Sequence, residues 1–166
     1  MLKKRSDKKA FFGLIDNGTT TYTRMKFFTE LSTSKNAQEY SRQYVDEVSE
    51  RTDVTGYSPS ISFGFDDNTG NDVLADIANI IDNELTGTDA QREIISVDFT
   101  QPSGGGFVAY KRTYAVIADS EGGDMDAYTY SGNFNSVSDI VKGVATIATP
   151  VGGDSKSVET ITFVAD

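Results

Sequence analysis

The chain has no cysteine, no histidine and no tryptophan, and only three prolines in 166 residues. Without cysteine there is no disulfide framework and no thiolate to act as nucleophile or ligand. Without histidine the commonest general base and the commonest transition-metal ligand are missing. A Ser-His-Asp site, a Cys-His pair and a zinc site are therefore excluded within one chain. Long apolar runs are lacking too. The run behind the amino-terminal bases, Ala10 to Ile15, is six residues and ends at Asp16. That is too short for a signal-peptide core, and no run approaches a membrane span. The expectation is a soluble protein made in the cytoplasm.

Positive charge is scarce: 15 Lys and Arg stand against 25 Asp and Glu, a net of −10. It is also unevenly spread. Residues 1–10 hold Lys3, Lys4, Arg5, Lys8 and Lys9 against Asp7 alone, a net of +4, which leaves −14 for the remainder. An acidic body repels nucleic-acid phosphates and argues against tight binding to them.

What is present favours strands. Fifteen glycines, eight tyrosines and ten phenylalanines, with many Ser and Thr, suit strands and turns. One stretch breaks that pattern. In Asn71 to Leu85, NDVLADIANIIDNEL, the residues Val73, Leu74, Ile77, Ile80, Ile81 and Leu85 recur at spacings of three and four. They form one apolar stripe of a helix. Thr69 or Asn71 can cap its start, and Gly87 stands where a left-handed residue closes a helix.

The rest reads as strands. Thr21–Ser32 and Glu39–Val48 are expected to form a long charged hairpin, and Glu50–Pro59 a polar loop of about ten residues. Further strands are expected at Ser60–Phe65, Glu93–Thr100, Phe107–Ala118, Met125–Phe134, Asp139–Ala148 and Ser157–Val164, with a turn at Pro150–Asp154. Asp16-Asn17-Gly18 and Ser103–Gly106 carry turn signals. The acidic cluster Asp66–Gly70 does not match a calcium loop, whose glycine and closing glutamate it lacks in place. The glycines at 104–106 are followed by no phosphate-loop pattern. With no repeat and no linker, residues 1–166 form one domain, with 1–20 as an amino-terminal arm. The fold class expected is mainly β: an antiparallel β-sandwich or barrel of seven to eight strands with one flanking α-helix.

EYSRQYVDEVSERTDVTGYSPSISFGFD over Glu39–Asp66, DNELTGTDAQREIISVDF over Asp82–Phe99 and KRTYAVIADSEGGDMDAYTYSGNF over Lys111–Phe134 resemble the tail tube proteins of tailed bacteriophages. Related tubes occur in phage-like bacteriocins and contractile injection systems. The resemblance spans about residues 40–135 and rests on length and order rather than on a catalytic motif. It implies a structural protein, not an enzyme and without cofactor. Its subunits would form stacked hexameric rings around a lumen that conducts DNA. It also implies a virion location and, as partners, the tape measure, terminator, baseplate and possible sheath proteins.

On that reading Lys26, Glu30, Glu39 and Glu47 are candidate lumen residues. Phe11, Phe12, Leu14 and Ile15 of the arm, with Arg51, Asp53 and Tyr57 of the loop, are candidate contacts between rings. An arm of that kind would be dispensable for folding. Two other readings exist. One is a binding module, an adhesin or carbohydrate-binding domain, with Tyr22, Tyr40, Tyr57 and Tyr110 as platforms. The other is an enzyme using a carboxylate pair, Asp124 and Asp126 or Asp46 and Glu47.

Overall fold

A computed structural model of the chain describes residues 1–68, 70–123, 125–148 and 160–166. The strands are β1 (Lys8–Asp16), β2 (Thr19–Arg24), β3 (Phe28–Ser34), β4 (Ala37–Arg42), β5 (Arg51–Tyr57) and β6 (Ser60–Asp66). After the helix α1 (Asp72–Asp82) come β7 (Gln91–Ser103), β8 (Gly106–Gly123), β9 (Tyr128–Ser136), β10 (Val141–Ala148) and β11 (Thr160–Ala165). Every pairing is antiparallel. The class is the one composition implies, mainly β with a single α-helix, although the described residues already hold eleven strands instead of seven or eight.

Local chemistry sets the tight turns. Asn17 (φ 48°) and Gly18 (φ 80°) join β1 to β2, and Gly104 (φ 51°) and Gly105 (φ 87°) join β7 to β8. Two successive positive φ values are what a two-residue hairpin needs, and Asn-Gly and Gly-Gly supply them at least cost.

Six strands close on themselves. β1 pairs with β2, β2 with β11, β11 with β10, β10 with the start of β8, β8 with β7, and β7 with β1. This barrel encloses Phe11, Ile95, Val97, Ala109, Ala145 and Ile161, with Phe99, Phe107 and Phe163 at its ends. Near Tyr114 the long strand β8 changes neighbour from β10 to β9. From there it runs on into a second sheet of four strands, β8–β9–β6–β3.

The second core lies under α1. Val73, Leu74, Ile77, Ile80 and Ile81 meet Phe12, Phe63, Phe65, Ile94, Val116 and Phe134. The rings of Phe63 and Phe134 stack at 4.4 Å, and those of Phe65 and Tyr130 at 5.3 Å. Gly132 leaves space here: a side chain at that position would collide with the Ile117 carbonyl and the Phe63 ring. Three polar ties fix the helix. The Asn71 side chain accepts hydrogen bonds from the amides of Val73 (3.1 Å) and Leu74 (3.2 Å). Arg92 Nε donates to Asp76 at 2.9 Å, and the Tyr130 hydroxyl donates to Asp82 at 3.1 Å. Burial and then the Asp82 carboxylate push the Tyr130 phenol well above its usual range.

Several expectations need correction. The helix ends at Asp82, and its left-handed residue is Glu84 (φ 50°), not Gly87. Leu85 N–H reaches back to the Ile80 carbonyl (3.1 Å) and Glu84 N–H to that of Ile81 (3.2 Å), a complete Schellman closure. Thr69 lies outside the described residues, as do the turn at 150–154 and the first residues of the strand expected from Ser157. Thr21–Ser32 is not one strand. It breaks at residues 25–27, where Phe27 takes φ 65°, so β2 joins the barrel and β3 joins the four-stranded sheet. The hairpin with Glu39–Val48 does not form. Instead β4 pairs with β5, which had been expected as a loop, in a separate two-stranded ribbon.

The largest difference concerns the amino terminus. Lys8–Asp16 is a strand between β2 and β7, and Phe11 and Phe12 are fully buried. Residues before it are also held. Lys3 Nζ lies 2.8 Å from Asp98, and Arg5 donates to the Leu31 carbonyl at 2.6 Å. The Lys3 ammonium, with hydrogen bonds from Thr100, holds the Asp98 carboxyl well below the usual carboxylate range. Removing residues 1–15 would thus remove a central strand, and the subunit would not fold without them.

Three outcomes follow for stability. Ile77→Asp places an unpaired charge in the helix-sheet core and should abolish the cooperative thermal transition, at a cost of about 4 kcal/mol or more. Replacing 37–57 by a short turn should leave that transition near its original temperature, because the ribbon pairs only with itself. Lys3→Ala should shift acid unfolding to higher pH. Asp98 has a depressed folded-state pKa, so its contribution is present above the ordinary carboxylate pKa and is lost as pH falls; without Lys3 that loss begins earlier. Thermal and acid titrations followed by circular dichroism check all three.

Candidate assembly interface

Two features of the fold have no partner among the described residues: the open four-stranded sheet and the ribbon. Antiparallel strands alternate their side chains between faces, so the register assigns each residue of the sheet. Ile61, Phe63, Phe65, Tyr130 and Phe134 face α1 and are buried. The opposite face holds Ser60, Ser62, Ser131, Asn133, Asn135 and, on β3, Glu30 and Ser32, aligned by the pairings Ser62↔Asn133, Ser62↔Ser32 and Gly64↔Glu30. Ser62 Oγ and Asn133 Oδ1 are 3.2 Å apart, and the Ser120 and Ser131 hydroxyls share a hydrogen bond of 2.6 Å. Distal β8 adds Ala115 and Ile117, paired with Asn135 and Asn133, so the face is mostly hydroxyl and amide with a few acids and one half-exposed isoleucine. Neither β3, β6, β9 nor residues 114–123 of β8 contain a single Lys or Arg.

Both margins of this sheet are open. β3 pairs only with β6 among the described residues, and beyond Ala115 β8 pairs only with β9. Each margin offers unpaired backbone donors and acceptors, an arrangement that invites another strand. Neither β3 nor residues 116–123 of β8 carries proline or a lysine to block such pairing.

The ribbon is ordered by its own side chains. Arg42 binds Asp53 at 2.6 Å and lies over the rings of Tyr40 and Tyr44. Arg51 binds Glu47 at 2.5 Å and also lies over Tyr44. The tip is closed by Gln43 Nε2 donating to the carbonyls of Glu47 (3.2 Å) and Val48 (3.1 Å). On that ordered tip Val45 and Val48 are 108% and 96% exposed, as bare as in an open chain. Tyr and Arg anchors on a prearranged element are the composition of protein interfaces.

The residues singled out in the sequence fall in different places. Of Lys26, Glu30, Glu39 and Glu47, only Glu30 lies on the polar face of the open sheet. Lys26 sits in the break before β3, Glu39 on β4, and Glu47 at the ribbon tip bound to Arg51. The charged wall proposed for them depended on a hairpin that does not form. Phe11 and Phe12 are core residues, one in each core, and Leu14 is partly buried against the helix-side core; only Ile15 is exposed. None of these first three is free to reach another copy, because the intramolecular sheet already covers them. Arg51, Asp53 and Tyr57 do lie together, on β5 of the ribbon.

The other readings find no assembled site among the described residues. Tyr22 is tied to Glu93 inside the barrel margin at 2.5 Å, whereas Tyr40 and Tyr57 stand on the ribbon and Tyr110 on β8. The four do not form one platform. Asp46 and Glu47 share the ribbon tip, but Glu47 is engaged by Arg51, and Asp124 lies outside the described residues. The described residues contain no cluster of three or more potential metal ligands. The polar face was the residue set that sequence reasoning missed. Its signal was the alternation of Ser60, Ser62 and Gly64 with Ile61, Phe63 and Phe65, read there only as a strand.

No protein-family model and no curated protein matches the chain. Among solved structures, a chain of the six-fold-symmetrised cryo-EM structure of the anti-feeding prophage baseplate overlaps 81% of this chain and 91% of its own length, at 9% identity and a TM-score of 0.45. A likeness of that degree decides nothing about the role of this chain.

Proposed function

We propose that the chain is a structural, non-enzymatic subunit that assembles with copies of itself into rings, and rings into a hollow tube. The observation that carries this reading is the four-stranded sheet open at both margins. Pairing the β3 edge of one copy with the distal β8 edge of the next extends the sheet from subunit to subunit. Repeated around an axis, such head-to-tail pairing closes a barrel wider than any one chain supplies. The polar face, uncovered by any described residue, becomes the wall of the lumen, and α1 with its core lies outside it. Six copies per ring is the number implied by the resemblance to phage tail tubes.

The wall suits the passage of DNA. Nucleic acid is held through Lys and Arg contacts to phosphate, and each contact releases a counterion. Strands without a base offer no such contact. Hydroxyl and amide groups keep the surface hydrated, and Glu30 and Asp66 add weak repulsion. The genome would slide past without sticking. The reading places the protein in a virion tail or a phage-like injection particle, beside tape measure, terminator and baseplate proteins. The tyrosine-platform reading has no comparable geometry behind it.

The absence of cysteine makes a direct test simple. Asn133→Cys puts one thiol on the polar face, and Asn79→Cys puts one on the outer side of α1. In assembled protein a small maleimide should label both, whereas a large polyethylene-glycol maleimide should label only Cys at position 79. Electron microscopy of the same samples should show hollow tubes. Equal labelling of both positions by the large reagent would reject the wall assignment, and a protein that stays monomeric at high concentration would reject assembly itself.

A further inference from the structure

The bases of this acidic chain are gathered on one surface. Two adjoining hollows, of about 320 Å³ and about 650 Å³, share Arg5, Lys8, Met25 and Leu31 in their lining and form one groove. Eight of the chain's 15 Lys and Arg line it, among them Lys35 and Arg112, and among the described residues no Asp or Glu does. Its floor is apolar, with Met25, Leu31, Ile61 and Ile94. At its mouth is Phe27, two-thirds exposed and held at φ 65°, a conformation disfavoured for a bulky residue. Strain of this kind, at an aromatic ring presented to solvent, marks a contact site more often than a core.

The chain also contains the complement of this groove. Residues 37–57 carry Glu39, Asp46, Glu47, Glu50 and Asp53 against Arg42 and Arg51. Both arginines are already bound, to Asp53 and Glu47. Glu39, Asp46 and Glu50 have no ion partner among the described residues. The tip thus presents uncompensated acids beside two bare valines. A groove with basic rims and an apolar floor fits an acidic, apolar plug.

The tip cannot fill its own groove. The ribbon grows from the groove's margin, where Thr33, Lys35 and Pro59 line it. Six residues of β4 carry the tip about 20 Å away from that root. We propose that the groove is the receptor for the ribbon tip, Gln43 to Glu50, of a second copy of this chain. Val45 and Val48 would sit on the floor, and Asp46 and Glu50 would face Lys8, Lys35 and Arg112. The contact joins unlike surfaces, so it repeats without closing and extends a polymer along one direction. It rests on the tube reading only for the shape of that polymer.

The test uses the full chain and reverses charge at residues that have no ion partner among the described residues. Lys8→Glu with Lys35→Glu makes the groove acidic, and Asp46→Lys with Glu50→Lys makes the tip basic. Each pair alone sets like charges against each other. Each should raise the concentration needed for polymerisation, measured by sedimentation at low salt, about tenfold or more. The chain carrying all four substitutions restores opposite charges and should polymerise nearly as the original does. Circular dichroism checks that each variant folds. Hollow tubes that tolerate either pair of reversals would overturn the groove contact and leave the tube reading intact. Failure of the fourfold variant to regain polymer, with its fold preserved, would overturn the contact as well. Solid filaments that respond to the reversals as expected would keep the contact and remove the tube. An original chain that never polymerises removes both.

Discussion

Phe11 and Phe12 point to opposite sides of one strand, and the whole subunit depends on both sides being covered. Phe11 closes the inside of the six-stranded barrel, and Phe12 lies under the helix. A strand buried on both faces cannot be at the edge of anything, so β2 and β7 must flank it. The same alternation runs through β7, where Ile95 and Val97 fill the barrel and Ile94 turns toward α1. Two cores therefore share β1 and β7, and β8 feeds both along its length, with Ala109 in the barrel and Val116 under α1. Neither core can be lost alone, since removing either phenylalanine opens a cavity costing about 3–5 kcal/mol, a large share of the roughly 5–15 kcal/mol that holds a typical domain.

Strand β8 then decides what the molecule can do beyond folding. Its first half is committed to the barrel between β7 and β10; its second half has β9 on one side and no strand on the other among the described residues. A chain that wished only to be soluble would blunt that margin. Here the margin ends in small residues, Ala118 to Gly123, with Asp119 and Glu121 as its only charges. The β3 margin behaves alike, with Glu30 among Ser and Thr. The fold is thus stable as one copy and unfinished as a surface.

How much of this was legible in the sequence follows from where each signal comes from. The helix was readable because a 3.6-residue period and an Asn cap are local, and the Asn-Gly and Gly-Gly turns because they dictate φ directly. The ends were less so: Glu84 closes the helix in a conformation that glycine usually takes. The ribbon was half missed for a physical reason. β5 packs on nothing, so nothing demands apolar alternation from Arg51 to Tyr57, and it reads as loop. β1 was misplaced because Lys8 and Lys9 mark a tail, whereas both belong to a central strand, paired with Asp98 and Val97 of β7, and Lys9 lies over the Phe99 ring. Barrel closure was not readable at all. It needs β2 to meet β11 through Thr23↔Thr160 and Tyr22↔Ile161, a contact between residues far apart in the chain that leaves no local trace. Of the residues named for assembly, Glu30 lies on the open sheet and Glu39, Glu47, Arg51, Asp53 and Tyr57 on the ribbon, where the polar composition of an exposed strand was the readable signal.

Charge and edges together give the subunit a direction. In the proposed assembly the β3 margin meets a different margin, distal β8, and the ribbon tip meets a groove unlike itself. Both contacts are head-to-tail, yet they end differently. Strand pairing carries the right-handed twist of a sheet, so successive copies rotate about a common axis and the chain of copies can return to its start. The ribbon stands away from its own groove along its length, so that contact translates each copy and never returns. One closing and one open contact on the same subunit are the minimum for a tube of unlimited length and fixed width. With eight bases in the groove and none in β3, β6, β9 or residues 114–123 of β8, the two contacts would not be confused, because an acidic tip finds no attraction at the open sheet.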